Sequence, residues 1–132
     1  MLFNPHTSHY FINNHIIFIL PAPSAPVSLS SVDVSPTKSH GPRITLTWIE
    51  PAEPNGVIRS YTLFYSYNGS AAREFSGIDK DTFSHTVDVF GGLTYQFNVT
   101  AVTIKPGPYE TITVTTRTYG KLNFHIFEAT IT

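Results

Sequence analysis

The sequence has no cysteine and little charge, and these two absences exclude several classes of protein. Because none of the 132 residues is cysteine, disulfide scaffolds, zinc ribbons, iron–sulfur sites and thiol catalysis are excluded. Charged residues make up only 13% of the chain and the formal net charge is -1. A disordered charged tail needs more charge, and a nucleic-acid or anionic-membrane surface needs a basic excess, so none of these is indicated.

Motifs for catalysis and metal binding are also lacking. The sequence contains no Gly-x-Ser-x-Gly, P-loop or His-Glu-x-x-His pattern. His6, His9 and His15 cluster near the start, but a metal site needs a rigid scaffold and further ligands. Asp79 and Asp81 resemble the start of a calcium loop, but the required glycine and distal glutamate do not follow. We therefore predict no catalytic, cofactor-binding or metal-binding residue and no enzymatic activity.

Composition divides the chain into three zones. Residues 1–22 contain no Lys, Arg, Asp or Glu, and their apolar run is too short to span a membrane. A signal peptide would need a positive start, so that interpretation is disfavoured but stays open. We predict a disordered or leader-like segment over residues 1–22, a folded domain over 23–116 and an irregular tail over 117–132. Pro21–Pro26 reads as a stiff spacer rather than an SH3 ligand, because no basic residue flanks it.

What the sequence has in quantity is period-two alternation of apolar and polar residues. About seven short segments of this kind occur at regular spacing, with turn residues between them and no convincing helix. A proline-flanked first segment suits an edge strand. The pattern is typical of an all-β, antiparallel β-sandwich. Six side chains are predicted to form the centre of the core: Trp48, Tyr61, Leu63, Tyr95, Phe97 and Val99.

Two asparagines and one aromatic residue are the candidates for surface roles. Asn68 and Asn98 both lie in Asn-x-Ser/Thr patterns and could accept N-linked glycans. Asn68 is the better acceptor, because the Asn68-Gly69 pair predicts an exposed hairpin turn. Phe64 should point outward from its strand, where it could contact a partner or be covered by a neighbouring loop.

Several motifs, in the right order, resemble those of the fibronectin type III family. The resemblance covers about residues 23–116, and its pieces are Trp48–Pro51, Pro54–Ile58 with Tyr61–Tyr65, Leu93–Val102 and Gly107–Tyr109. It implies a seven-stranded, immunoglobulin-like sandwich, with Tyr95 as the tyrosine of the family's corner motif. Gly91 and Gly92 stand where the family has proline, so we expect a looser corner, with either Val89 or Phe90 in the place of its leucine.

The resemblance also implies a function. Similar domains occur in tandem in extracellular adhesion and receptor proteins, such as receptor tyrosine phosphatase ectodomains, where they act as spacers and bind proteins. We therefore expect a non-catalytic protein-protein interaction module of a longer cell-surface chain. Its partners would be neighbouring domains and other proteins, not nucleic acid, with a membrane reached only through the parent chain. Two alternatives stay open: an accessory module of a secreted polysaccharide-active enzyme, or an intracellular muscle-type structural module.

Overall fold

A computed structural model describes residues 8–13, 15–19 and 21–119, with only the backbone described for the first two strands. The described residues form nine strands and no helix, so no helix there could cross a membrane. The strands are β1 (Ser8–Ile12), β2 (His15–Ile19), β3 (Val27–Val34), β4 (Arg43–Ile49), β5 (Ser60–Tyr67), β6 (Arg73–Asp79), β7 (Ser84–Asp88), β8 (Thr94–Val102) and β9 (Glu110–Thr115).

Seven of these strands form the predicted antiparallel sandwich. One sheet has the order β3-β4-β7 and the other the order β6-β5-β8-β9. Every pairing within the two sheets is antiparallel. The all-β, seven-stranded architecture expected from the alternation is therefore confirmed.

The core lies between the two sheets, because each strand turns every second side chain inward. Trp48 from β4 packs against Tyr61 from β5, with ring centroids 5.5 Å apart. Burying an aromatic side chain of this size stabilises the fold by roughly 3 kcal/mol. The six side chains predicted for the centre are all buried: Trp48, Tyr61, Leu63, Tyr95, Phe97 and Val99.

The N-terminal zone contains a pairing that the sequence reading did not include. β1 and β2 pair antiparallel, with Ile12 facing His15. Asn13 follows β1 with a φ of 49°, a left-handed conformation that asparagine adopts more readily than most residues. Whether residues 1–22 act as a leader stays an expectation.

Two strands carry irregularities that matter for the sheet edges. The register of β3 against β4 shifts between Val27 and Ser30, and Ser28 lies there with a φ of 55°. The register of β6 against β5 shifts opposite Tyr61 and Leu63. Gly77 adopts a φ of 72° within β6, and the strand continues past this point to Asp79.

Candidate interaction surface

The outer face of the four-stranded sheet carries an aromatic pair formed by Phe64 and Tyr109. Phe64 projects from β5 and is half-buried, and Tyr109 precedes β9 and is 51% exposed. Their ring centroids lie 5.5 Å apart and the ring planes meet at 86°, an edge-to-face arrangement that aromatic pairs prefer. Tyr109 thus covers part of Phe64, which agrees with the expectation that a neighbouring loop shields it.

Polar side chains surround the aromatic pair. Asn98 of β8 lies directly opposite Phe64 in the sheet, and Thr111 of β9 lies on the other side of Asn98. The Thr111 hydroxyl donates to Asn98 Oδ1 over 2.6 Å. This part of the face therefore has two rings at its centre and amide and hydroxyl groups at its margin.

The two candidate glycan acceptors occupy very different positions. Asn68 is exposed in the β5–β6 hairpin with a φ of 36°, and Ser70 closes the turn by donating its N–H to Tyr67 O over 2.7 Å. Asn98 is half-buried in the middle of a sheet. Thr100, the hydroxyl residue of its acceptor pattern, is buried and donates to Gly107 O over 2.6 Å.

The corner between β7 and β8 is held by Tyr95. The Phe90 N–H donates to the Tyr95 hydroxyl over 2.8 Å, as the family resemblance implies, and burial raises the pKa of Tyr95. Val89 is buried whereas Phe90 is 63% exposed. Val89 therefore occupies the place of the family's leucine, which resolves the alternative left open by the sequence.

The same corner is fastened by the chain that leaves β9. The Leu93 N–H donates to Thr116 Oγ1 over 3.0 Å, and the Thr116 hydroxyl donates to Phe90 O over 2.7 Å. The Gly92 N–H donates to Arg117 O over 3.2 Å. A Cβ at Gly91 would lie 2.8 Å from that carbonyl oxygen, so the glycine allows the exit segment to approach closely. These contacts fasten the corner where the family has proline, and the looser corner expected from the sequence stays a prediction.

An open cleft of about 390 Å³ lies beside the corner. Its margin includes Tyr67 and Phe90, whose rings meet nearly edge to face with centroids 6.0 Å apart. Arg73 and Asp88 supply one charge of each sign. The cleft is a second, concave surface in addition to the aromatic pair.

Two buried polar atoms of the core have no hydrogen-bond partner among the described residues: Tyr61 Oη and Trp48 Nε1. Burial raises the pKa of Tyr61 to about 12, with smaller contributions from the Glu50 and Asp81 carboxylates. The phenol therefore stays protonated and cannot serve as a base near neutral pH.

The described residues contain no group of three His, Asp or Glu side chains that could hold a metal ion. His85 packs against Phe75, with ring centroids 4.9 Å apart, and burial lowers its pKa. His6 lies outside the described residues, and the side chains of His9 and His15 are not described.

Sequence reasoning identified Phe64 but missed Tyr109 and Thr116. Tyr109 follows a Lys-Pro-Gly-Pro turn and meets Phe64 only because β8 lies between β5 and β9. Thr116 reads as one more threonine of a threonine-rich strand. Thr116 contacts the Gly91-Gly92 segment in space, but the groups that it bonds lie 23 or more residues away in sequence. A single sequence carries no signal of such a contact.

The chain is similar to parts of much longer proteins, one of which is named as a cell adhesion molecule. The chain is 38% identical over 85 residues to Protein sidekick of Drosophila melanogaster, covering 61% of this chain and 4% of that protein. It is 27% identical over 95 residues to the cell adhesion molecule DSCAML1 of Gallus gallus, covering 70% of this chain and 5% of that protein. The chain thus spans only a small part of these relatives, and no family model matches it.

Solved structures agree with the fold. The FN1-FN3 domains of chicken CNTN1 align with 79% of this chain and 36% of theirs, at a TM-score of 0.61 and 19% identity. A myokine structure aligns with 74% of this chain and 100% of its own, at a TM-score of 0.60 and 18% identity. The described sandwich, with its tyrosine corner and strand order, therefore has the fold of fibronectin type III domains.

Proposed function

We propose that this chain is a non-catalytic cell-adhesion module that binds another protein through the outer face of its four-stranded sheet. The observation that carries the proposal is the aromatic pair: Tyr109 is 51% exposed and lies edge-to-face on Phe64. The similarity to DSCAML1, a cell adhesion molecule, supports the adhesion role.

The physical chemistry of the aromatic pair suits a protein contact. Interfaces are enriched in tyrosine, because its ring buries a large area at low entropic cost and its hydroxyl can bond at the margin. Phe64 fixes one edge of the Tyr109 ring, so little side-chain freedom is lost on binding. Asn98 and Thr111 beside the rings can supply the polar rim that such contacts need.

The geometry of the pair argues against a polysaccharide platform. Flat sugar chains stack on several coplanar aromatic rings, whereas these two ring planes meet at 86°. No described observation favours the muscle-type alternative over the adhesion role. A cell-surface location completes the proposal, supported by the similarity to a cell adhesion molecule, and its finer form is a receptor phosphatase parent chain.

Asn68 is the glycan acceptor in this proposal. Its exposure at a hairpin tip leaves room for a glycan, and the tip lies away from the aromatic pair. In a secretory host, the mass added by glycans should disappear on Asn68→Gln and persist on Asn98→Gln. Full loss of the added mass with Asn98→Gln alone would contradict this choice.

The binding surface is tested with a tetramer of the full chain and a panel of cell-surface ectodomains. Tyr109→Ala should weaken any specific binding by at least about tenfold, as truncation of a central interface tyrosine does. Ile104→Ala is the matched control, because Ile104 is a large apolar residue of the neighbouring turn and is 74% exposed. Both variants should unfold at nearly the temperature of the parent chain.

Two results would contradict the proposal. If the tetramer binds no ectodomain and no cell type, the adhesion role is wrong. If it binds but Tyr109→Ala has no effect while Ile104→Ala weakens binding, the recognition face has been misplaced.

A further inference from the structure

The sandwich has four edge strands, and three of them carry features that prevent pairing with another chain. Natural sheets protect their edges with proline, bulges, charges or short length. β3 follows Pro26 and is interrupted by the bulge at Ser28. β6 contains Gly77 with a positive φ and begins with Arg73 and Glu74. β7 is only five residues long and ends in Asp88.

The fourth edge strand, β9, has none of these features in its own sequence, although β3 of the other sheet lies close to it. Its six residues, Glu-Thr-Ile-Thr-Val-Thr, include no proline, glycine or lysine, and the single charge is at the first position. Its register with β8 runs from Glu110 to Thr115 without a shift. Among residues 8–13, 15–19 and 21–119, no strand pairs with its outer edge. Its outward N–H and C=O groups are therefore positioned to bond to another extended strand.

The sequence of β9 is complementary to itself when read in the opposite direction. Thr111, Thr113 and Thr115 are exposed on the outer face, whereas Ile112 and Val114 are half-buried on the inner face. If two copies pair antiparallel about Thr113, every threonine faces a threonine and Ile112 faces Val114. Side chains directly opposite each other in an antiparallel pair lie on the same face, so both inner faces stay on the core side.

The charges at the two ends of this segment do not oppose the pairing. Glu110 begins β9, and Arg117 follows its end with a side chain that is 74% exposed. In the antiparallel arrangement, Glu110 of one copy faces Thr116 of the other, and Arg117 lies one position further along. No like charges meet in the paired segment.

We propose that the outer edge of β9 is a self-association site, at which two copies of this chain join their four-stranded sheets into one continuous eight-stranded sheet. The contact is isologous, because the same strand is used by both copies. About six main-chain hydrogen bonds would form across it. The contact surface of one strand pair is small, so the dimer should be weak, with a dissociation constant in the micromolar range or above.

Self-association would strengthen binding to a partner protein, but the dimer does not require such a partner. Phe64 lies on the outer face of the same sheet, and Tyr109, which contacts it, directly precedes β9. The dimer would therefore present two aromatic pairs on one surface, and a weak contact made twice gains from avidity. The edge proposal stands on β9 alone and does not rest on the proposed adhesion role.

Two double variants of the full chain test the register of the pairing. In Thr111→Lys/Thr115→Glu, each new lysine would face a glutamate of the other copy, so the dimer should become tighter. In Thr111→Lys/Thr115→Lys, lysine would face lysine and the dimer should become weaker. Within one copy the two positions are four residues apart on an extended strand, about 13 Å, so the charges interact mainly between copies. Sedimentation equilibrium should show dissociation constants at least about tenfold apart, with the unchanged chain between them.

A control variant and an exchange measurement complete the test. Ser76→Lys adds the same charge to the exposed opposite edge of this sheet, in β6, and should leave the dissociation constant unchanged. Slow amide exchange of β9 should appear only at concentrations where the dimer forms.

Three outcomes would overturn the proposal. The unchanged chain and the Lys/Glu variant could both remain monomeric up to about 300 µM, a range in which weak specific contacts still associate. The two double variants could associate equally, which would place the contact elsewhere. The outward amides of β9 could be protected at every concentration, which would mean that another segment of the same chain occupies the edge. None of these results bears on binding of the tetramer to ectodomains.

Discussion

The two ends of the sandwich hold the chain in different ways. At the end where the chain enters, Ala22–Ser24 runs between two loops. Asn55 Nδ2 donates to Ala22 O over 2.9 Å, and the Ser24 N–H donates to Glu53 O over 2.8 Å. On the other side, the backbone of Pro23 lies directly against Gly107, where a Cβ would collide with it. The entering chain is therefore held by hydrogen bonds on one side and by close packing of its backbone against Gly107 on the other.

At the opposite end, where the chain leaves, side-chain hydroxyls form most of the hydrogen bonds that hold the chain. Tyr95 and Thr116 bond to main-chain groups of the corner, and Arg117 contributes its carbonyl. The comparison teaches that each end depends on a glycine that admits another stretch of backbone, Gly107 or Gly91, but that only the leaving end adds two hydroxyls. It also shows that residues 23–116, the boundaries predicted from the sequence, omit one anchor at each end, namely Ala22 and Arg117.

The largest effect is expected at the entering end, from Gly107→Ala. The new Cβ would meet the carbonyl of Pro23, which cannot move without disturbing the bonds of Ala22 and Ser24. Overpacking of this kind costs about 1–3 kcal/mol of the free energy of unfolding, and we expect the upper part of that range. Urea denaturation of the full chain would measure it.

Gly41→Ala is the matched control for this change. A Cβ at Gly41 meets nothing within 4 Å, so its free energy of unfolding should stay within about 0.5 kcal/mol of the parent. Equal losses in the two variants would show that the contact with Pro23 is not what restrains the entering chain.

A smaller effect is expected at the leaving end, from Thr116→Val. The change keeps the shape of the side chain but removes the hydroxyl that accepts from the Leu93 N–H and donates to Phe90 O. Leaving such groups without a partner costs about 1–3 kcal/mol when they are buried, and we expect about 1.5 kcal/mol because these are only partly buried.

Thr116→Ser separates the hydroxyl from the methyl group. It keeps the hydrogen bonds and should cost less than about 0.8 kcal/mol, the contribution of one buried methyl. If the serine variant were the less stable of the two, packing and not hydrogen bonding would hold this end. The interpretation of the corner would then have to be revised.

The strands could be read from the sequence because alternation is a local signal. Ile44, Leu46 and Trp48 alternate with polar residues, and all three are buried as that pattern requires. The Asn68-Gly69 turn was also readable, since both residues adopt the positive φ that such a turn demands.

The missed features depend on residues distant in sequence. The aromatic pair exists because β8 separates β5 from β9 by one strand, which aligns Phe64 with Tyr109 across the sheet. The contacts at the Gly91-Gly92 corner depend on the position of Arg117 O, and nothing near Gly91 in the sequence indicates that position. Of the candidate site, Phe64 and Tyr95 could therefore be predicted from the sequence. Tyr109, which packs on Phe64, and Thr116, which bonds at the corner, could not.

The smallest loss of stability is expected from Arg117→Gln. This change removes the charge of the side chain but keeps the Arg117 carbonyl, so it distinguishes the contribution of the ion pair from that of the backbone contact. Arg117 Nε lies 3.4 Å from Asp33 Oδ2, but 74% of the arginine side chain is exposed. Exposed ion pairs are screened and contribute about 0.2–1 kcal/mol, so we expect a loss below about 0.5 kcal/mol that disappears in 1 M salt. Gly91→Ala should cost far more, because its Cβ would displace the Arg117 carbonyl that accepts from the Gly92 N–H. Urea denaturation at low and high salt compares the two variants. If Arg117→Gln proved the more destabilising of the two, the ion pair with β3, and not the backbone contact at the glycine corner, would be what fastens the leaving chain.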